Sequence, residues 1–241
     1  DALPIFVPHI YSVNYERSSD KCVSITSSYS LGGYSKKPVI KGELKWIVFG
    51  SGDILFETHA DVREGVPYLP RFGLRFTMPP GNELVEYFGF GPHESYIDKR
   101  QSTYKSRFSA RVSQMHEDYI MPQENGSHYA TEWALVSNLL GMGLLFIGID
   151  DFSFNASHFT PEDLTNAQHN YELKPGKETI VHVDYKMSGV GSASCGPELL
   201  EKYRLSDSKI HYRLRIKPVF SAENSVIDTV RGEIQFPLET E

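Results

Sequence analysis

Acid–base cleavage of an acetal needs two carboxylates held roughly 5 to 10 Å apart, one acting as acid and the other as nucleophile or base. Glu86, Glu94, Glu124 and Glu132 are the glutamates whose strand or turn context suits that task. Their spacing sets no two of them face to face, and acids in turns are as a rule solvated or structural, so scaffold is the expected role. The nine histidines contain no pair at helical His-x-x-x-His spacing and no Cys/His cluster suits zinc, so no metal site built within the chain is expected. No Gly-x-Ser-x-Gly elbow or phosphate loop occurs, which removes the common signals of acyl and phosphoryl transfer. One segment stands apart: Gly189-Val190-Gly191-Ser192-Ala193-Ser194-Cys195-Gly196-Pro197 is too rich in glycine and small polar residues to be strand core. Composition leaves two readings open for it, a flexible turn between strands or a loop shaped to approach a ligand or another domain.

The elements that would hold these residues are strands. Val181, Val183, Tyr185 and Met187 alternate with His182, Asp184 and Lys186, and Tyr212, Leu214 and Ile216 alternate with His211, Arg213 and Arg215. Period-2 alternation of this kind predicts strands with one wet face each. The run Leu44 to Phe49, the turn Gly50-Ser51-Gly52-Asp53 and the run Ile54 to Val62 read as a β-hairpin. Further turns are expected at Pro79-Pro80-Gly81-Asn82, Glu124-Asn125-Gly126 and Lys174-Pro175-Gly176. Helix is scarce. Thr160 followed by Pro161, Glu162 and Asp163 predicts a capped helix of roughly two or three turns, and Pro197 to Lys202 a second short piece. The expected class is all-β, an antiparallel sandwich burying the inner faces of two sheets.

At 241 residues, with 40% hydrophobic and 23% charged residues, the chain has the composition of an ordinary globular domain. Its net charge of −7, with no basic run interleaved with aromatics, excludes nucleic acid as an expected partner. The apolar stretch Leu139 to Ile149 is too short to cross a bilayer and is broken by Gly141, Gly143 and Gly148. Two distant cysteines, Cys22 and Cys195, make no disulfide framework, and a reducing cytoplasm is the expected compartment. The sequons at Asn125 and Asn155 matter only in a secretory pathway. A start at Asp1 without methionine suggests a piece of something larger.

Three blocks carry a family resemblance. The first is Leu69-Pro70-Arg71-Phe72-Gly73-Leu74 followed by the run from Tyr87 through Gly91-Pro92-His93-Glu94-Ser95-Tyr96-Ile97-Asp98-Lys99. The second is Tyr119-Ile120-Met121-Pro122-Gln123-Glu124-Asn125-Gly126 with Trp133 shortly after. The third is the glycine-rich loop running on to Leu205. In order and spacing, from about Gly50 to Pro218, they resemble the C-terminal β-domain of the large bacterial β-galactosidases of glycoside hydrolase family 2, encoded in some bacteria as a separate small subunit.

That resemblance implies a galactose-mutarotase-like antiparallel supersandwich over residues 1–217, shortened at its start, with an acidic extension over 218–241. It also implies that the catalytic glutamates and the magnesium site lie on a TIM barrel elsewhere, so that this segment carries no catalytic residue and no cofactor. The barrel or large subunit is the implied partner, with a galactoside such as lactose as substrate and self-association into a homo-oligomer as a further expectation. The residues implied to face the sugar are Cys195, where other members carry a tryptophan, and Ser194 beside it. Glu94, Tyr96 and Asp98 are expected to tie a turn to neighbouring backbone. Lys99 stands where the family's signature has arginine, and lysine cannot reproduce the bidentate fork. Two other readings remain, an aldose 1-epimerase using a His and a Glu, and a carbohydrate-binding module using Trp46 or Trp133, although both tryptophans suit a core better.

Overall fold

The structure, a computed structural model, describes residues 6–33, 36–191, 196–220 and 225–232. The chain forms strands β1 (Val7–Ser19), β2 (Cys22–Gly32), β3 (Ile40–Phe49), β4 (Ile54–Val62), β5 (Arg71–Met78) and β6 (Leu84–Gly91). There follow β7 (Tyr104–Arg111), β8 (His128–Ser137), β9 (Met142–Ser157), β10 (Thr179–Met187) and β11 (Lys209–Phe220). Helix α1 (Pro161–Asn166) sits between β9 and β10, and α2 (Val226–Arg231) follows β11. All pairings are antiparallel, in the order β1-β2-β3-β4-β11-β9-β8-β6-β7, with β10 joining β9 to β5.

β9 explains how one continuous sheet makes two layers. Its first half pairs with β11 from Met142 to Gly148, and its second half pairs with β10 from Ser153 to Ser157. The sheet therefore folds over along β9 and traps a core between the layers, with Phe146 and Phe154 fully buried among Phe56, Tyr87, Val136, Val181, Ile210 and Leu214. Each such side chain contributes about 1.5–3 kcal/mol by leaving water. The hairpin expected at Gly50-Ser51-Gly52-Asp53 is the β3–β4 turn, closed by Phe49 N donating to Asp53 O at 2.9 Å.

Three expectations need correction. β10 has no wet face over most of its length: His182 and Asp184 are 8% and 3% exposed, because the connection from Met115 to Gly126 lies over that face. The alternation was right about the strand, but the polar side meets other polar groups, not solvent. α1 begins at Thr160 as predicted, with Thr160 Oγ1 accepting from Asp163 N and Asp163 reaching back to Thr160 N, yet it spans only six residues. Pro197 to Lys202 is not a helix; only Glu201–Tyr203 forms a 3-10 turn.

A second apolar patch lies on the outer face of the sheet, where Trp133, Leu135, Leu145, Ile147 and Val219 are covered by Val226, Ile227 and Val230 of α2. α2 is also held from below: Arg215 Nη1 donates to Thr229 O at 3.1 Å and Gly232 O at 2.6 Å, satisfying carbonyls at the helix end. Arg215 and Lys217 share Asp53, at 2.8 and 2.6 Å. Burial would push the Asp53 carboxyl up, but Lys217, Ser51 and Arg215 outweigh it and hold it below the usual range. β1, by contrast, is exposed along all thirteen residues, with Val7, Ile10, Tyr11, Val13 and Tyr15 in solvent. Among the described residues, no helix is long and apolar enough to cross a membrane.

Candidate functional site

The three sequence blocks that lie far apart in the chain meet at one end of the sandwich. β5 begins at Arg71 and β10 ends at Met187 beside it, so Ser188 falls against the segment Leu69-Pro70. Ser188 N donates to Pro70 O at 2.9 Å, Ser188 Oγ donates to Leu69 O at 2.6 Å and accepts from Leu205 N at 2.8 Å. Gly189 N then donates to Tyr203 O at 2.9 Å. These bonds fix where the glycine-rich loop leaves the sheet. Asp98 fixes its direction: Oδ1 accepts from Val190 N at 3.1 Å and Oδ2 from Gly191 N at 2.9 Å. The approach is so close that a Cβ on Gly189 would overlap the Asp98 carboxyl, which is why glycine stands there.

The rest of the Gly91-to-Lys99 motif faces the second block. Glu94 is 6% exposed; its Oε2 accepts from Gly126 N at 2.8 Å, and its Oε1 accepts from Lys99 Nζ and Tyr119 Oη. Ser127 N donates to Tyr96 Oη at 3.4 Å. Gly126, at φ +72, is in the left-handed region, and any Cβ there would meet Met115 O. Glu94, Tyr96 and Asp98 thus bind backbone on two different loops, so the motif is a clamp holding the second and third blocks in register. Lys99 does reach Glu94, but as a single point of contact.

Next to the loop root lies a buried charge cluster. Arg71 Nη2 donates to Asp184 Oδ2, and Nη1 to Glu124 Oε2 at 2.9 Å. Burial pushes both carboxyls up, and Arg71 pulls each back. Burial works against the Arg71 charge too, but Asp184 and Glu124 outweigh it and keep the guanidinium protonated. Burial, reinforced by Glu124 and Glu94, raises the Tyr96 phenol well above its ordinary value. His182 is held neutral by burial and by Arg71 and Arg75, and His128 by burial, down to about 4. Arg71 and Glu124 line a cavity of about 610 Å³ with Tyr68, Leu164, Gly189 and Val190. Two polar atoms of the cluster, Arg71 Nε and Glu124 Oε1, are buried without a hydrogen-bond partner among the described residues.

Of the four glutamates singled out from the sequence, Glu94 and Glu124 come together around Tyr96. Glu86 and Glu132 do not join them: they form surface pairs with Arg107 and Lys105, both at 2.8 Å. Both oxygens of Glu94 are engaged by donors, so it is not a free acid or base, whereas Glu124 is tied to the Arg71 guanidinium through Oε2 alone. Asp184 and Arg71 were not picked out as a pair; the signal was a charge on each of two strands, and only register joins them. Trp133 is 4% exposed inside the α2-covered patch, and Trp46 is partly buried against the core, its ring tilted 50° to Phe56 at 4.6 Å, so neither is an open platform for a sugar. Asn125 and Asn155, the sequon residues, are both buried. Ser194 and Cys195, the residues expected to face substrate, lie outside the described residues. Cys22 is buried with a free thiol.

A profile of the family described as "Beta galactosidase small chain" matches residues 7–216. The chain belongs to this family. The β-galactosidase small-chain match takes in every strand that builds the clamp. Relatives include a β-galactosidase of Actinobacillus pleuropneumoniae, 37% identical over 211 residues, and one of Staphylococcus xylosus, 37% identical over 198. These alignments cover 87% and 81% of this chain but 20% of each relative, so the small-chain segment spans about a fifth of the length of the curated relatives it matches. Among solved structures, a putative aldose 1-epimerase from Escherichia coli K12 aligns with a TM-score of 0.43 and 7% identity, over 87% of this chain and 69% of that one. An aldose epimerase homologue from C. elegans aligns at 0.35 with 10% identity, over 86% and 68% of the two chains.

Proposed function

We propose that this chain is the non-catalytic β-domain of a retaining β-galactosidase acting on terminal β-D-galactosides such as lactose, and that it forms one wall of the sugar site. The observation that carries this reading is the Asp98 clamp. Two backbone amides of the loop are bound by a carboxylate from the family motif, directly beside a cavity, and that motif is itself bound to the second block. Such an arrangement fixes a loop's path, which is how a residue outside the reacting pair assists by positioning. On this reading Ser194 and Cys195 face the sugar, and the thiol offers a small, polarisable apolar surface in place of an indole.

The two glutamates that act as nucleophile and acid/base, and the magnesium ion, belong on this reading to a TIM barrel in the same cytoplasmic protein or in its large subunit. The engagement of both Glu94 oxygens by donors supports placing the acid and the nucleophile elsewhere. The exposed β1, with its row of apolar side chains, is the surface for contacts with other domains or a second protomer. The test is substitution at the loop in the whole enzyme. Cys195→Trp changes KM for galactosides with little change in the pH dependence of kcat. An unchanged KM for both Cys195→Trp and Ser194→Ala removes the wall from the account.

A second reading has one observation in its favour: Glu124 Oε1 has no hydrogen-bond partner among the described residues, and its side chain lines the cavity. With a histidine as the second group, this would make an aldose 1-epimerase-like site. It predicts accelerated mutarotation of α-galactose by polarimetry, whereas the wall reading predicts the uncatalysed rate.

A further inference from the structure

On the exposed face of the β4–β11 ladder, His59 and His211 stand directly opposite each other. Their rings stack with centroids 4.1 Å apart and planes 15° from parallel. Glu57, two residues before His59 and so on the same face, accepts from both: its Oε1 lies 3.2 Å from His59 Nε2 and 2.7 Å from His211 Nε2. One nitrogen from each ring and one carboxylate oxygen lie within 4.8 Å of one another, and all three side chains reach solvent.

We propose that Glu57, His59 and His211 form a surface site for a divalent transition metal ion, with Zn²⁺ the ion that suits it best. Two imidazoles and a carboxylate are a borderline-soft donor set, which disfavours Mg²⁺ and Ca²⁺ and matches Zn²⁺. Zn–N and Zn–O bonds of about 2.0–2.2 Å put tetrahedral ligand atoms roughly 3.3–3.5 Å apart, so the 3.2 Å contact to His59 nearly fits, the 2.7 Å contact to His211 must open, and the stacked rings must turn to aim both Nε2 lone pairs at one ion. The shared Glu57 oxygen already gathers both Nε2 atoms; an ion replaces the protons on that shared contact. The two histidine side chains are exposed and can adjust without moving the sheet.

The neighbouring rows on this face set the local charge. Glu43 stands opposite His59 on β3, Lys45 and Arg213 flank Glu57, and Lys41 and Lys209 flank Asp61 one row further on. Glu43 adds a negative charge in the same row, but its carboxylate is not among the atoms gathered within 4.8 Å, so water is the fourth ligand. Lys45 and Arg213 oppose a cation, and Arg213 is drawn toward Asp150 at 3.8 Å. The ion cross-links β4 to β11, strands joined by a sequence separation of 154 residues between Glu57 and His211.

The test uses the protein that carries this chain at its natural length, stripped with chelator and titrated with Zn²⁺ by calorimetry and with Co²⁺ by visible absorption. The wild type takes up one equivalent more Zn²⁺ than His211→Ala or His59→Ala, and Glu57→Gln weakens that equivalent. Co²⁺ gives a tetrahedral d–d band that both histidine variants lose. Equal stoichiometry and equal Co²⁺ spectra in the wild type and in both folded histidine variants overturn the proposal, and the cluster is then a proton-sharing pair on one carboxylate. Galactosidase activity enters none of these readouts, so the wall reading and the metal site stand or fall separately.

Discussion

Replacing Asp98 with alanine removes both acceptors that hold the root of the glycine-rich loop. The bonds run from Val190 N at 3.1 Å and Gly191 N at 2.9 Å. A hydrogen bond to a charged group is worth about 1.5–3 kcal/mol, but both amides are solvent-accessible, which reduces each to about 1–1.5 kcal/mol. Loss of the two together costs the closed loop about 2–3 kcal/mol. Since about 1.4 kcal/mol is tenfold, the opening constant should rise roughly 30- to 150-fold. The sheet should not feel this, because Ser188 and Gly189 are held by separate bonds to Pro70, Leu69 and Tyr203. Amide hydrogen exchange followed by NMR is the direct assay. Val190 and Gly191 should exchange faster by that factor, while the amides of β10 and β11 keep wild-type rates. Exchange at both amides within threefold of wild type, in a folded protein, refutes the reasoning.

Gly189→Ala should reproduce the Asp98→Ala exchange pattern with Asp98 intact, because the added methyl displaces the carboxylate; wild-type exchange there contradicts the close approach. Asp53→Ala leaves Arg215 and Lys217 without their counter-charge and should cost about 3–5 kcal/mol in urea unfolding, loosening α2 at the same time. A loss under about 1 kcal/mol refutes it. His128 titrates at about 4 in the folded chain against about 6.5 unfolded, so between those values only the unfolded state takes up the proton. Stability should therefore fall as pH drops from about 6.5 to 4, by on the order of 3 kcal/mol, and His128→Asn should flatten that slope in a melting series. Asp53 acts in a lower window: its stabilising contribution is full above the ordinary carboxylate range and is lost as pH falls through its depressed folded value.

Much of the fold was legible because local rules were obeyed. The β3–β4 hairpin follows from its turn residues and flanking runs, and α1 starts at Thr160 because the hydroxyl and Asp163 exchange capping bonds. What stayed hidden was decided by pairing at long range. His182 and Asp184 look like the wet side of a strand, and only the connection from Met115 to Gly126 crossing above them makes them interior. Arg71 and Asp184 lie 113 residues apart, and Glu57 and His211 154 apart, so no spacing rule reveals either contact. α2 escaped notice since its six residues carry a short apolar face that makes sense only against Trp133 and Val219. The site was half legible: the motif's glutamate, tyrosine and aspartate were expected to bind backbone and do so, but that they clamp two different loops is a property of register.

Hydrolysis of a chromogenic β-galactoside, by this chain alone and then mixed with the barrel-containing remainder of the enzyme, tests the central claim most directly. The account predicts no turnover by the chain alone and activity restored on mixing. Turnover by the purified chain alone would contradict it and return the search to Glu94 and Glu124.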